Sequence, residues 1–140
     1  MKRRRRTEIL IKGSAELARR FSVEIEENYS IKVIQVPENG LVMVKMREAA
    51  QKSLFYLGEV FVTEVKVQIK DELGIGIVTG NNQELAYDLA VIDAAYNAGL
   101  DETRNWEQQL LDEEIKIKKI AEKEQGKIMM TKVNFETMDV

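Results

Sequence analysis

Phosphate-cradling loops place glycines just ahead of a helix, and the stretch GIGIVTGNN, from Gly74 to Asn82, has that composition. Its spacing does not fit a dinucleotide fingerprint. Counted from Gly74, the sixth position is Thr79, and Gly80 comes one residue late. No Gly-Lys-Ser/Thr follows, so a P-loop is excluded too. What survives is generic: Gly80, Asn81 and Asn82 open a helical pattern, and helix N-termini attract anions. These three residues are the phosphate candidates, set against an ordinary turn and cap.

Other chemistry is scarce. The chain has no histidine and no cysteine. That removes the commonest general base, the favoured zinc ligand, thiolate metal sites and disulfides. Catalysis by this chain alone would fall to Asp, Glu, Lys, Arg or Tyr. Asp93 sits among apolar neighbours in LAVIDAAY, where burial raises a carboxyl pKa. The setting favours a hydrogen-bonded carboxylate at the edge of a packed helix. Glu59 and Glu64 fall at opposite ends of one strand run, and no carboxylate pair has a catalytic spacing. No catalytic residue, metal ligand or cofactor is assigned to the chain.

The basic run Lys2–Arg6 could touch nucleic acid. The favoured reading is a flexible, solvated tail. Tyr29, Tyr56, Tyr87 and Tyr96 are scattered, and the basic strand positions alternate with Glu and Gln, so stacking on single strands is poorly supported. Net charge is −3, with basic residues concentrated in positions 1–70 and acidic ones in 71–140. Such polarity suits association with a partner of complementary field. Only Ile9-Leu10-Ile11 follows the basic start, and no apolar run approaches the roughly 20 residues of a membrane span. The expected location is cytoplasmic.

At 140 residues and 44% hydrophobic content, one domain is expected. Residues 1–6 would be the tail, 7–126 the core and 127–140 a C-terminal arm. Thr7–Lys12 reads as a short helix, broken at Gly13-Ser14, with Ser14 capping a second segment through Leu17, Phe21 and Ile25 to about Asn28. IKVIQV and LVMVKMR read as two strands joined by a hairpin at Asn39-Gly40. Val65, Val67 and Ile69 alternate with Glu64, Lys66 and Gln68, an antiparallel signature, and Gly58 suggests a bulge. After a turn at Asp71–Gly74, Gly74, Gly76 and Val78 leave one strand face nearly bare, so the following helix can pack closely. That helix is capped by Asn81 or Asn82, carries Ala86, Ala90, Ala94, Ala95 and Ala98, and stops at Gly99.

The last helix is expected from Asp101 to about Gln125, ended by Gly126. Trp106, Leu110, Ile117 and Ile120 form its stripe, which could lie on a partner. The tail carries Val133, Phe135 and Met138 without a clean period. Together these seven residues are the partner-interface candidates. The fold class is α+β: a four-stranded antiparallel sheet, an N-terminal helix, two C-terminal helices and an extended arm.

Four segments in order, SAELARRF, ENGLVMVKMR, LFYLGEVFVTEVKVQI followed by GIGIVTGNNQELAYDLAVIDAAYNAG, and TKVNFETM, resemble the G subunit of the bacterial phosphonate carbon–phosphorus lyase system, the PhnG family. The resemblance spans about Ser14–Met138. It departs at Glu136, where the family often has a second aromatic, and in the basic start. It implies a core complex with the H, I and J subunits, dimeric as a whole. That complex converts ATP and methylphosphonate to α-D-ribose 1-methylphosphonate 5-triphosphate and adenine. The resemblance puts the catalytic centre on the I subunit, and the iron–sulfur cluster with S-adenosylmethionine on the J subunit. It gives the G subunit no catalytic residue. A stand-alone nucleic-acid binder using Lys2–Arg6 and a small phosphate-ligand module using Gly80–Asn82 are the alternatives.

Overall fold

The backbone breaks at Gly13-Ser14 as its side chains demand. Helix α1 (Arg3–Lys12) ends there, and helix α2 (Ala15–Asn28) begins with the Ser14 hydroxyl accepting from the Glu16 N–H at 3.2 Å. The computed structural model describes residues 1–47 and 54–138, and the side chains of 1–43 and 58–126. Helix α1 starts at Arg3, not at Thr7, so the basic run is helical rather than a loose tail.

Three strands follow: β1 (Lys32–Arg47), β2 (Leu54–Ile69) and β3 (Glu72–Thr79), antiparallel and in that order across the sheet. The expected four-stranded sheet is therefore wrong, because Asn39-Gly40 does not turn. Asn39 faces Thr63 and Gly40 faces Val62 in one continuous ladder from Lys32 to Arg47. β2 is 16 residues long and pairs with β1 on both sides of Gly40, so a hairpin there would forfeit the outer part of the ladder. Pro37 is tolerated because β1 is an edge strand and its register shifts between Gln35 and Glu38. Another of the three register shifts in this ladder falls beside Gly58, where a bulge was expected. The tight turn is Lys70-Asp71, with φ of 48° and 70°, the left-handed pair that a two-residue hairpin needs. It lies ahead of the Asp71–Gly74 position expected for it.

Helix α3 (Gln83–Asn97) lies across β2 and β3, with Val65, Val67, Ile69 and Val78 buried beneath it. The bare strand face has its expected role. A Cβ on Gly74 would collide with the Ala90 carbonyl and the Ala94 amide. One on Gly76 would collide with the Ala86 carbonyl and stand 2.7 Å from the Ala90 nitrogen. Ala86, Ala90 and Ala94 recur every fourth residue, so one helix face meets one strand face backbone to backbone.

Helix α4 (Glu102–Met138) is 37 residues long, about 55 Å at 1.5 Å per residue. It runs straight through Gly126, so the segment expected as an extended arm is helical in its backbone as far as Met138. A glycine inside a helix costs only about 1 kcal/mol. No proline follows, and residues 127–138 include Lys, Ile, Met and Glu, several of them good helix formers. Where α4 crosses α2 and α3, Trp106 stacks on Phe21 at 4.4 Å and meets Tyr96 edge-on at 5.9 Å.

Gly76→Ala is expected to lower stability by about 3 kcal/mol or more, because only backbone atoms could yield to the new methyl group. Gly40→Ala, which would meet nothing within 4 Å, should stay within about 0.5 kcal/mol of the parent. Urea denaturation midpoints of the two variants test this.

Candidate subunit interface

The buried charged groups, Asp93, Arg6 and Asp88, are each paired with an opposite charge. Asp93 is 6% exposed. Its Oδ1 accepts from Arg6 Nη2 at 2.9 Å and lies 3.0 Å from Arg3 Nε. Its Oδ2 accepts the Ile75 N–H at 3.0 Å. The Arg6 guanidinium also lies 4.1 Å over the Tyr96 ring. Burial pulls its pKa below the ordinary arginine value, and Asp93 pulls it back up. Asp88 repeats the device: burial pushes its carboxyl up, and Arg19, donating at 2.9 Å, opposes that shift. The carboxylate expected at a packed helix edge is thus hydrogen-bonded there. What the sequence did not reveal is its partner, which comes from the basic start of the chain. Arg5 is taken too, in a two-pronged contact with Glu114 at 2.7 and 2.9 Å.

The phosphate candidates offer an anion little. The Gly80 N–H donates to the Phe61 carbonyl at 2.7 Å, and the Asn82 N–H donates to the Thr63 hydroxyl at 3.2 Å. The Asn82 side chain caps α3 by accepting from Leu85 N–H at 3.2 Å. Glu16, Glu84 and the Asp88–Arg19 ion pair line the adjacent hollow, so the acids outnumber the one cation there and that cation is already engaged. Among the described residues no cluster of acidic side chains could hold a metal ion. No helix among them is long and apolar enough to cross a membrane.

The α4 stripe divides. Trp106 and Leu110 are fully buried in this chain's own core, and the Trp106 indole donates to Glu24 at 3.0 Å. Ile117 packs partly against that core, while Ile120 is 60% exposed, with Ile115 exposed near it. Every residue from Lys118 to Gly126 is exposed. The side chains of Val133, Phe135 and Met138 lie outside the described residues.

A second surface was not anticipated. β3 ends at Thr79, opposite Val62. From Leu41↔Phe61 to Arg47↔Leu54, β1 and β2 continue as a two-stranded ribbon, with no third strand beside them among the described residues. Register puts Leu41, Met43 and Phe61 on one face and Val42 on the other, and all four are exposed. A two-stranded ribbon alone is marginally stable in water, and clustered exposed apolar side chains mark interaction sites. The signal was present in LVMV, which is apolar on both strand faces. It was hidden by the expected hairpin.

Two projections leave the core without a packing partner among the described residues: the ribbon, with exposed Leu41, Val42, Met43 and Phe61, and the outer part of α4, charged along most of its described length but carrying exposed Ile115 and Ile120. A family model described as phosphonate metabolism protein PhnG matches residues 1–139. The chain belongs to the PhnG family. None of the curated proteins compared with it matches. The family is that of a phosphonate-metabolism protein.

Removing residues 1–6 should destabilise the fold by about 3 kcal/mol, the cost of stripping a buried carboxylate of its partner. Arg6→Ala should account for much of that loss, as read by thermal unfolding. In a separate titration, millimolar ATP should leave the Gly80, Asn81 and Asn82 amide resonances unmoved. Saturable shifts there would restore the phosphate reading.

Proposed function

We propose that this protein is a non-catalytic subunit of a carbon–phosphorus lyase core complex. In that role it organises the H, I and J subunits and supports formation of α-D-ribose 1-methylphosphonate 5-triphosphate and adenine from ATP and methylphosphonate. ATP, the iron–sulfur cluster and S-adenosylmethionine are handled by the other subunits, in the cytoplasm. Family membership supports the pathway. The observation that carries the structural role is the pair of projections. The ribbon bears Leu41, Met43 and Phe61, and α4 bears Ile115 and Ile120, all exposed. Isolated helices and ribbons of this size are marginal in water, and a partner's surface supplies the missing burial.

The chemistry of the core agrees. With no histidine or cysteine, and with Asp93 and Asp88 held by Arg6 and Arg19, the chain presents no unengaged general base in the described core. The nucleic-acid reading is weakened, since three of the five basic residues of Lys2–Arg6, Arg3, Arg5 and Arg6, are bound to carboxylates of the same chain.

Co-expression with the H, I and J subunits should yield a stable complex containing this chain. The double variant Leu41→Glu/Met43→Glu should fold with unchanged circular dichroism yet lose at least about tenfold in association, as expected when apolar contact residues become charged and desolvated. Ile120→Glu probes α4 in the same way. Release of adenine from ATP and methylphosphonate by the isolated chain would overturn the non-catalytic assignment.

A further inference from the structure

β3 is an edge strand, and the direction of its outer hydrogen-bonding groups follows from two bonds. The Leu73 carbonyl accepts from Asn97 Nδ2 at 2.8 Å, and the Ile75 N–H donates to Asp93. Strand groups alternate, so Leu73, Ile75, Ile77 and Thr79 all turn their N–H and C=O away from β2. Side chains of α3 close the first part of this edge. Among the described residues nothing bonds the Ile75 carbonyl, the Ile77 N–H and carbonyl, or the Thr79 N–H.

Beside this open stretch runs a groove of about 710 Å³ between β3 and α1. Its strand wall is Ile75–Ile77, Leu89 contributes from α3, and the α1 wall includes Arg3, Arg4, Ile11 and Lys12. The cations outnumber the one acid of the groove, Glu8, which is already paired with Lys12. Arg3 is 60% exposed despite its contact with Asp93. Arg4 is exposed and has no ion-pair partner among the described residues.

The geometry points to addition of a fourth strand: an extended, acidic segment of a partner subunit pairs with the Ile75–Thr79 edge and turns its carboxylates to the arginines of α1. A second copy of this chain fits less well. Strand β3 would turn only Gly74, Gly76 and Val78 toward α1, leaving Arg4 unanswered. This inference rests on the proposed subunit role and adds a surface distinct from the ribbon, on the outer edge of β3.

The test is amide hydrogen exchange, read residue by residue, on the full chain alone and in the complex with the H, I and J subunits. The Ile77 and Thr79 amides should exchange at least about tenfold more slowly in the complex, the signature of newly made strand bonds. The Val78 amide, already turned to β2, should change little. Arg4→Glu should weaken association in low salt about tenfold, and Arg4→Lys should retain it. If the complex forms while Ile77 and Thr79 exchange as in the isolated chain, the added strand is refuted and the subunit role stands. If the two amides slow in the isolated chain as its concentration rises, the occupant is a second copy and the partner segment is refuted. If no complex forms, both readings fall.

Discussion

Everything in this fold follows from how closely one helix approaches one strand. Gly74 and Gly76 leave no side chain between β3 and α3, so the backbone of the helix rests on the backbone of the strand at Ala86, Ala90 and Ala94. That closeness brings two short polar side chains of α3 within reach of the sheet edge. Asp93 takes the Ile75 N–H and Asn97 takes the Leu73 carbonyl. A longer separation would leave both edge groups unpaired and the Asp93 charge without its backbone donor, each a costly state when buried. The glycine–alanine contact therefore sets the position of a charge as well as the thickness of the core.

The charge in turn positions the first helix. Arg6 reaches into the core because Asp93 waits there, and its guanidinium lies over the Tyr96 ring. Tyr96 touches Trp106, which stacks on Phe21. Residues from α1, α2, α3 and α4 thus meet through one carboxylate and three aromatic rings. A buried ion pair is weak evidence for stability taken alone, since desolvation offsets much of the attraction. Its effect here is directional: it ties a strongly basic helix to one site and leaves Arg4 and Lys12 facing the groove beside β3.

The parts of the fold legible in the sequence are those decided by neighbouring residues. Ser14 and Asn82 are caps because their short side chains reach amides two or three residues ahead. The bare strand face was legible because alternation alone puts Gly74 and Gly76 on one side. The misread parts are those decided by distant partners. Asn39-Gly40 has the composition of a hairpin, yet β2 is long enough to hold it straight. Gly126 has the look of a stop, yet one glycine is too small a penalty to end a helix of good helix formers. The run Lys2–Arg6 looks like a solvated tail until Asp93 and Glu114, far along the chain, are brought to it. Of the interface candidates, Trp106 and Leu110 proved to be core because helical spacing shows a stripe without saying which chain covers it.

The result is a molecule with part of the usual distribution inverted. Asp88, Asp93 and Arg6 sit inside, each answered by an opposite charge, while Leu41, Met43, Phe61 and Ile120 stand in solvent. A small domain gains most of its stability from the apolar area it removes from water, so side chains of this kind outside the core contribute nothing to an isolated chain. Their cost on an isolated surface is association and aggregation. Both problems vanish if the surfaces are covered whenever the protein is at work. The ribbon and α4 leave the core at separate places, and the basic groove lies beside a different strand. A partner engaging all three surfaces would have to wrap the domain, or several partners would have to share it. Under the proposed assembly role, either arrangement would make the chain a junction, with its centre fixed by the close glycine–alanine contact of β3 and α3.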